Sequence, residues 1–249
     1  KNALNDFNLK ENLPLSYIFD QYNLKKKITI DDLGFLIGPI INSGGRLNYS
    51  KYGVELLTTN DKKIIKDKSN KLIDLNNKRK KIEADHLNEI DFQKIKKEDK
   101  NVIIYFRDNL NEGLIGIIAS RLKDYFNKPT IVITKSKNTL KASARSTSLY
   151  NIGHVIKLLV DNNIVHKGGG HSMAAGFTLK KTNIRLLDNF IQNDYLKKVS
   201  HIKSLNVYDF ELSSLAIKNE LMNDIYKLGP FGNFNLMPIF LIRNLKIIK

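Results

Sequence analysis

From residue 101 onward the apolar residues change rhythm, and that change restricts the architecture more than any other feature. "NVIIYF" (101–106) is a short run rich in β-branched residues, as in a buried strand. "GLIGIIASRLKDYF" (113–126) then places Ile115, Ile118, Ala119 and Leu122 on one helical face. "PTIVITK" and "TLKASARS" read as a second and third strand, "NIGHVIKLLVDN" as a helix, "AAGFTLK" as a strand and 182–200 as a further helix. Strands alternating with helices predict an α/β domain.

The flanking stretches follow other patterns. Residues 1–50 read as helical with short breaks: Pro14 suits a helix start, and Thr29 or Asp31 can cap "TIDDLGFLI". "GPIINSGGRLNYS" (38–50) gathers four helix-unfriendly residues, Gly38, Pro39, Gly44 and Gly45, and predicts a shaped loop. Thr59, Asn60 and Asp61 then offer the start of a helix whose apolar stripe (Ile65, Leu72, Leu75, Ile82) is narrow. At about 30 residues it spans roughly 45 Å, long enough to bridge two lobes. After residue 204, "NVYDFEL" and "PIFLIRNLKII" predict strands around a helix at about 216–227, with "GPFGNFN" (229–235) as a turn.

Composition bounds the class. A chain of 249 residues with 42% hydrophobic content can bury one large core or two ordinary ones. It has no cysteine, which excludes disulfides and thiolate metal sites and fits a reducing compartment. The longest apolar run, Leu33 to Ile41, is far short of the roughly 20 residues of a membrane helix. A soluble, cytoplasmic protein without a membrane partner is expected. The chain opens on Lys1 and stops within a strand-like run, so a piece of a longer protein is also expected.

The net charge is +16, but only 7 of the 41 basic residues are arginine, a bias that an AT-rich genome also produces. Distribution is more informative. Residues 135–181 hold eight basic residues against one acid, Asp161, whereas 60–100 hold 13 basic against 9 acidic. Positive charge therefore collects around one stretch, "HKGGGHSMAAGF" (166–177), as it would facing a polyanion.

That stretch and two others carry the candidate chemistry. Gly168, Gly169 and Gly170 lack Cβ atoms and predict a loop whose amides cradle an anion, with His171 beside it to donate to phosphate. Ser143 and Arg145 share a strand face by period-two alternation, and with Ser146 they make a phosphate clamp. Arg46, after Gly44 and Gly45, is a third candidate, weak taken alone. Each has a bland alternative: a glycine turn with a core histidine, solvated serines, a surface arginine. No group of aspartates and histidines has metal-ligand spacing, and no Walker loop or nucleophile elbow occurs.

Taken together, "DLGFLIGPIINSGGRL", "LTTNDKK…LNNKRKKIE", "NEGLIGIIASRLKDYFNKPTIVI", "KASARS", "GGGHSMAAGF" and "LGPFGNFNLMPIF" resemble, in order, the RecJ family of single-strand-specific exonucleases in the DHH phosphoesterase superfamily. The resemblance implies the end of a DHH catalytic domain (1–57), a long connecting helix (58–95), a DHH-associated α/β domain with a mixed sheet (96–202) and the start of an OB-fold-like domain (203–249). It implies a Mg²⁺- or Mn²⁺-dependent nuclease that degrades single-stranded DNA from the 5′ end in recombination and repair, with its metal ligands outside this chain. It places His171 and Gly168 to Gly170 at the phosphates near the scissile bond, Ser143 and Arg145 at the DNA terminus or backbone, and Arg46 at the backbone. Phe231 and Phe234 are candidates for base stacking, although burial is the commoner role of such residues. A single-strand-binding protein or a helicase is an implied partner, and a monomer is favoured. The sequence departs from the family at Ile40, where arginine is usual, and at Leu110 and Asn111, where Trp-His is usual. A non-catalytic single-strand-binding module and a DHH phosphoesterase acting on short oligonucleotides are the alternatives.

Overall fold

In the computed structural model, which describes residues 4, 6–199, 207–232 and 235–246, helix starts are set by side-chain caps. Asn12 accepts from the Leu15 amide, and Pro14 lies in the first turn of α1 (Leu13–Gln21). Residues Asp32–Ile37 form a wider π-helical segment that runs directly into α2 (Gly38–Arg46). The loop expected over 38–50 is therefore helical as far as Arg46. Packing overrides propensity here: a Cβ on Gly44 would lie 2.6 Å from the Tyr49 carbonyl oxygen and 3.1 Å from the Leu72 side chain. Asn48, at φ 71°, turns the chain, and the Tyr49 amide closes the helix end on Gly44 O at 2.7 Å.

After α3 (Lys51–Leu57) comes α4 (Lys62–Asn88), whose first amides bond to the Asp61 carboxylate. The buried positions on α4 are Ile65, Ser69, Leu72, Asn76, Arg79 and Glu83, at alternating steps of four and three. The apolar stripe expected from the sequence thus becomes polar after Leu72, while Leu75 and Ile82 are only half-buried. A short α5 (Phe92–Glu98), capped by Asp91, lies outside the sequence expectation.

The α/β region follows in order: β1 (Ile103–Phe106), α6 (Ile115–Phe126), β2 (Thr130–Ser136), β3 (Thr139–Arg145), α7 (Ile152–Asp161), β4 (Lys167–His171), β5 (Ala174–Leu179) and α8 (Ile184–Val199). The strands form one mixed sheet in the order β1-β2-β3-β5-β4, with only the β1–β2 pair parallel. That pair needs a crossover, and α6 supplies it. Ile115, Ile118, Ala119 and Leu122 of α6 pack with Val132 on one face. On the other, α7 and α8 enclose a core with Ile131, Ile133, Leu140, Ala142, Ala144 and Phe177. Tyr150 is sealed in this core with its hydroxyl donating to Asp194 at 2.9 Å; burial first, then the Asp194 charge, drive its pKa far above the usual phenol value, so it remains a donor.

Contacts divide the chain into two compact units, one comprising residues 1–39, 56–69 and 204–249, the other 40–55 and 70–203. In the first, β6 (Phe210–Glu211) pairs in parallel with β7 (Phe240–Leu241), and α9 (Asn219–Lys227) lies between them in sequence. Within the described residues these strands are much shorter than the runs expected at 206–212 and 238–248. Phe231 is half-buried, and Phe234 lies outside the described residues. Among those residues no helix is long and apolar enough to cross a membrane.

Candidate nucleic-acid interface

Directly opposed residues of antiparallel strands share a face, so the register of β3, β5 and β4 determines what the open part of the sheet presents. Arg145, Ala174 and His171 form one row across the three strands. Ser143, Gly176 and Gly169 form the next, and Lys141, Thr178 and Lys167 the third. Arg145 and His171 are thus two strand spacings apart, about 9–10 Å, on the same side. His171 is solvent-exposed, and Arg145 and Ser143 are partly so. Between the basic rows the floor is nearly bare: a Cβ on Gly169 would meet nothing within 4 Å, and one on Gly176 only a carbonyl oxygen at 3.7 Å.

The glycines do not form the amide-lined loop expected from the sequence. Residues Lys167–His171 are an extended strand, and no glycine among the described residues has positive φ, which an anion nest requires. Close packing explains them instead. A Cβ on Gly168 would lie 2.7 Å from both the Ile156 side chain of α7 and Phe177, and one on Gly170 would collide with Ala174 and Ala175. On the helix side, a Cβ on Gly153 would lie 2.7 Å from the His171 carbonyl oxygen. Bare backbone lets α7 sit directly on the strand that ends in the imidazole.

Arg145 is held in place before any ligand arrives. Its Nη1 donates to Ala144 O at 2.8 Å and to Ser143 Oγ at 3.2 Å. Gly116, in the first turn of α6, makes room for it: a Cβ there would lie 2.9 Å from Nη2. Arg46, at the end of α2, donates to the Gly113 carbonyl at 3.1 Å, and Gly113 in turn is held by Asn111, whose side-chain oxygen accepts its amide at 2.9 Å. Burial first, and then the charge of Arg46, lower the pKa of Arg145; burial and then Arg79 do the same to Arg46, with Glu83 opposing. Among the described residues neither arginine has a carboxylate partner. Two half-buried guanidiniums without carboxylate partners have the chemistry to accept an anion.

The remaining sequence candidates are placed differently. Ser146 is a correction: it is 1% exposed and its hydroxyl donates to Tyr150 O at 2.6 Å, so it braces the turn after β3 and offers nothing to a ligand. Ile40 is fully buried, and Leu110 is buried with its amide on Thr134 Oγ1. A divalent cation does not fit this face, because guanidiniums repel it; among the described residues no three His, Asp or Glu side chains converge to bind one.

Several residues at the site were not among the individual binding candidates, although Lys141 and Lys167 belong to the basic cluster at 135–181. Lys141 and Lys167 flank the glycine floor, and Lys141 pairs with Glu112 at 3.2 Å. Arg79 and Glu83 come from α4 and Arg121 from α6. The scarcity of arginine was the available signal: four of the chain's seven, at 46, 79, 121 and 145, occur in this one constellation.

The DHHA1 domain family matches residues 99–196, from the end of α5 into α8. The single-stranded-DNA-specific exonuclease RecJ of Haemophilus influenzae is 30% identical over 226 residues, covering 86% of this chain and 39% of that protein. RecJ of Bacillus subtilis is 29% identical over 226 residues, 86% of this chain and 28% of that protein. The chain therefore spans well under half the length of these relatives. Among solved structures, RecJ from Thermus thermophilus in complex with Mn²⁺ superposes with a TM-score of 0.77 at 20% identity, over 93% of this chain and 34% of that one. The same protein in complex with Mg²⁺ gives 0.74 over 92% of this chain and 35% of that one, again at 20% identity. At that identity the likeness concerns the fold.

Proposed function

The chain is a RecJ homologue carrying a DHHA1 domain, and from that premise we propose that it is the strand-gripping part of a 5′-to-3′ single-stranded-DNA exonuclease acting in recombination and repair. In this reading 1–57 close a DHH catalytic domain, 58–95 connect, 96–202 hold substrate and 203–249 open an OB-fold-like strand guide. Mg²⁺ or Mn²⁺ and its ligands belong to a part of the protein outside this chain, so the chain alone is inactive. The protein works in the cytoplasm as a monomer, with a single-strand-binding protein or a helicase as partner.

The observation that supports this reading is the row Arg145–Ala174–His171, open to solvent beside Ser143 and a glycine floor. A single strand laid there meets a preset guanidinium fork at one end and an imidazole one phosphate or so away. Arg145 and Ser143 take the terminal phosphate, His171 the neighbouring phosphate near the scissile bond, and Arg46 a backbone oxygen. The bare strip between the rows admits the sugar or base edge of the nucleotide they bracket. These residues bind and orient the strand; a divalent metal bound elsewhere in the protein would supply the positive charge for water activation.

Fluorescence anisotropy with 5′-phosphorylated and 5′-hydroxyl oligothymidylates tests the reading. The protein should prefer the phosphorylated strand, and Arg145→Ala should abolish that preference and lower the salt slope by about 0.7, one single-strand phosphate contact. An Arg145→Ala protein that keeps the preference would overturn the assignment.

A further inference from the structure

We propose that Arg121, held by Glu83 together with Arg79, forms a second phosphate subsite for the same strand, beyond the one at Arg145 and Arg46. The inference rests on the strand-gripping function above and extends it along the cleft between α4 and α6. Glu83 is nearly buried, its side chain 7% exposed, and its two oxygens hold two guanidiniums: Arg79 Nη1 at 2.7 Å and Arg121 Nε at 2.8 Å. Arg79 is itself fixed through Nε to Asn76 at 3.1 Å.

Burying such a group costs desolvation, and an apolar residue of similar volume stabilises a fold at least as well. The arrangement therefore calls for a use. Arg121 offers one: only its Nε is engaged, its side chain is 61% exposed, and both Nη groups are available for a second acceptor. Lys80 lines the same cleft, so three cations stand there against the single carboxylate.

The position is right for the next stretch of strand. Arg145 feels the charge of Arg46, and Arg46 that of Arg79, whose carboxylate partner Glu83 also holds Arg121. Along α6, Arg121 lies five residues beyond Gly116, which abuts Arg145; that is about 7.5 Å along the axis and about 140° around it, on the flank held by Glu83 of α4. A phosphodiester chain leaving the first subsite reaches Arg121 only after at least one further nucleotide. Length dependence is accordingly the signature of this subsite.

Equilibrium binding of 5′-phosphorylated dinucleotide and dodecanucleotide thymidylates to the protein and to Arg121→Gln and Arg145→Ala tests it, with a thermal melt of each variant. Arg121→Gln should weaken the dodecamer about tenfold and leave the dinucleotide unchanged, whereas Arg145→Ala should weaken both. If Arg121→Gln leaves both ligands unaffected, or weakens both equally, the second subsite is wrong. In either case the Arg145→Ala result judges the first reading separately: loss on both ligands sustains it, and no loss on either overturns it along with the extension. Should the Arg121→Gln melt shift enough to affect binding, Lys80→Gln, on the exposed side of the same cleft, must show the same length-dependent loss, and its absence sinks the proposal.

Discussion

Gly116→Ala separates ligand binding from folding more cleanly than removal of any charged residue. The added methyl would lie 2.9 Å from Arg145 Nη2 and 3.2 Å from Ser143 Oγ. Ordinary contact is about 3.5 Å, so the guanidinium must retreat by about half an ångström. The Arg145–Ser143 bond is already 3.2 Å long, near the limit of useful geometry, and that displacement breaks it. A fork left with only its bond to Ala144 O is less well preset and loses on the order of 1.5 kcal/mol of charge-assisted bonding to phosphate, about tenfold in affinity. Stability should move the other way. The atoms in the way are the far ends of side chains, which can yield, and alanine is the better helix former by up to about 1 kcal/mol, less in a first turn. The melting temperature should therefore stay constant or rise by up to about 2 °C. Anisotropy with a 5′-phosphorylated single strand and a circular-dichroism melt measure the two quantities on one preparation. Unchanged affinity, or affinity and melting temperature falling together, would refute the reasoning.

Gly153→Ala should do the opposite: its methyl would meet the His171 backbone at 2.7–3.0 Å, where nothing can swing aside, so a urea titration should show a loss of about 1–3 kcal/mol. A midpoint equal to the parent's would show that α7 can lift off β4 at no cost. Glu83→Ala leaves Arg79 buried without its carboxylate and should cost about 3–5 kcal/mol by the same titration; a loss under 1 kcal/mol would mean that the ion network is solvated. His171→Ala should weaken binding of a 5′-phosphorylated single strand several-fold by anisotropy, because the variant loses a donor on the open row opposite Arg145. An affinity equal to the parent's would remove the imidazole from the binding account.

The α/β core was legible because β2 is a continuous apolar run, buried on both faces, and β3 alternates. Ile131, Ile133, Leu140, Ala142 and Ala144 occupy every second position of β2 and β3, and all are buried. The shared face of Ser143 and Arg145 followed from the period of β3, whereas the mixed sheet was implied only by the family resemblance. What was illegible depends on partners distant in the chain. Three glycines suit a turn and an extended strand equally well, and only Ile156 and Phe177, pressed against Gly168, decide between them. Polar residues on a helix read as solvated, so the buried run Asn76, Arg79 and Glu83 was invisible until Arg121 was seen across from it. Ser146 misled for a related reason: its hydroxyl is occupied by a carbonyl four residues on, and nothing in a serine's neighbours announces that bond.

The strand that ends in His171 has almost no side chains with which to hold itself. Its placement comes from outside, through peptide groups touching Gly153 and the flank of α7. The imidazole's aim is therefore inherited from neighbouring elements, the β5 ladder and that helix, with no side chain between Gly153 and the His171 backbone to absorb a slide of the helix.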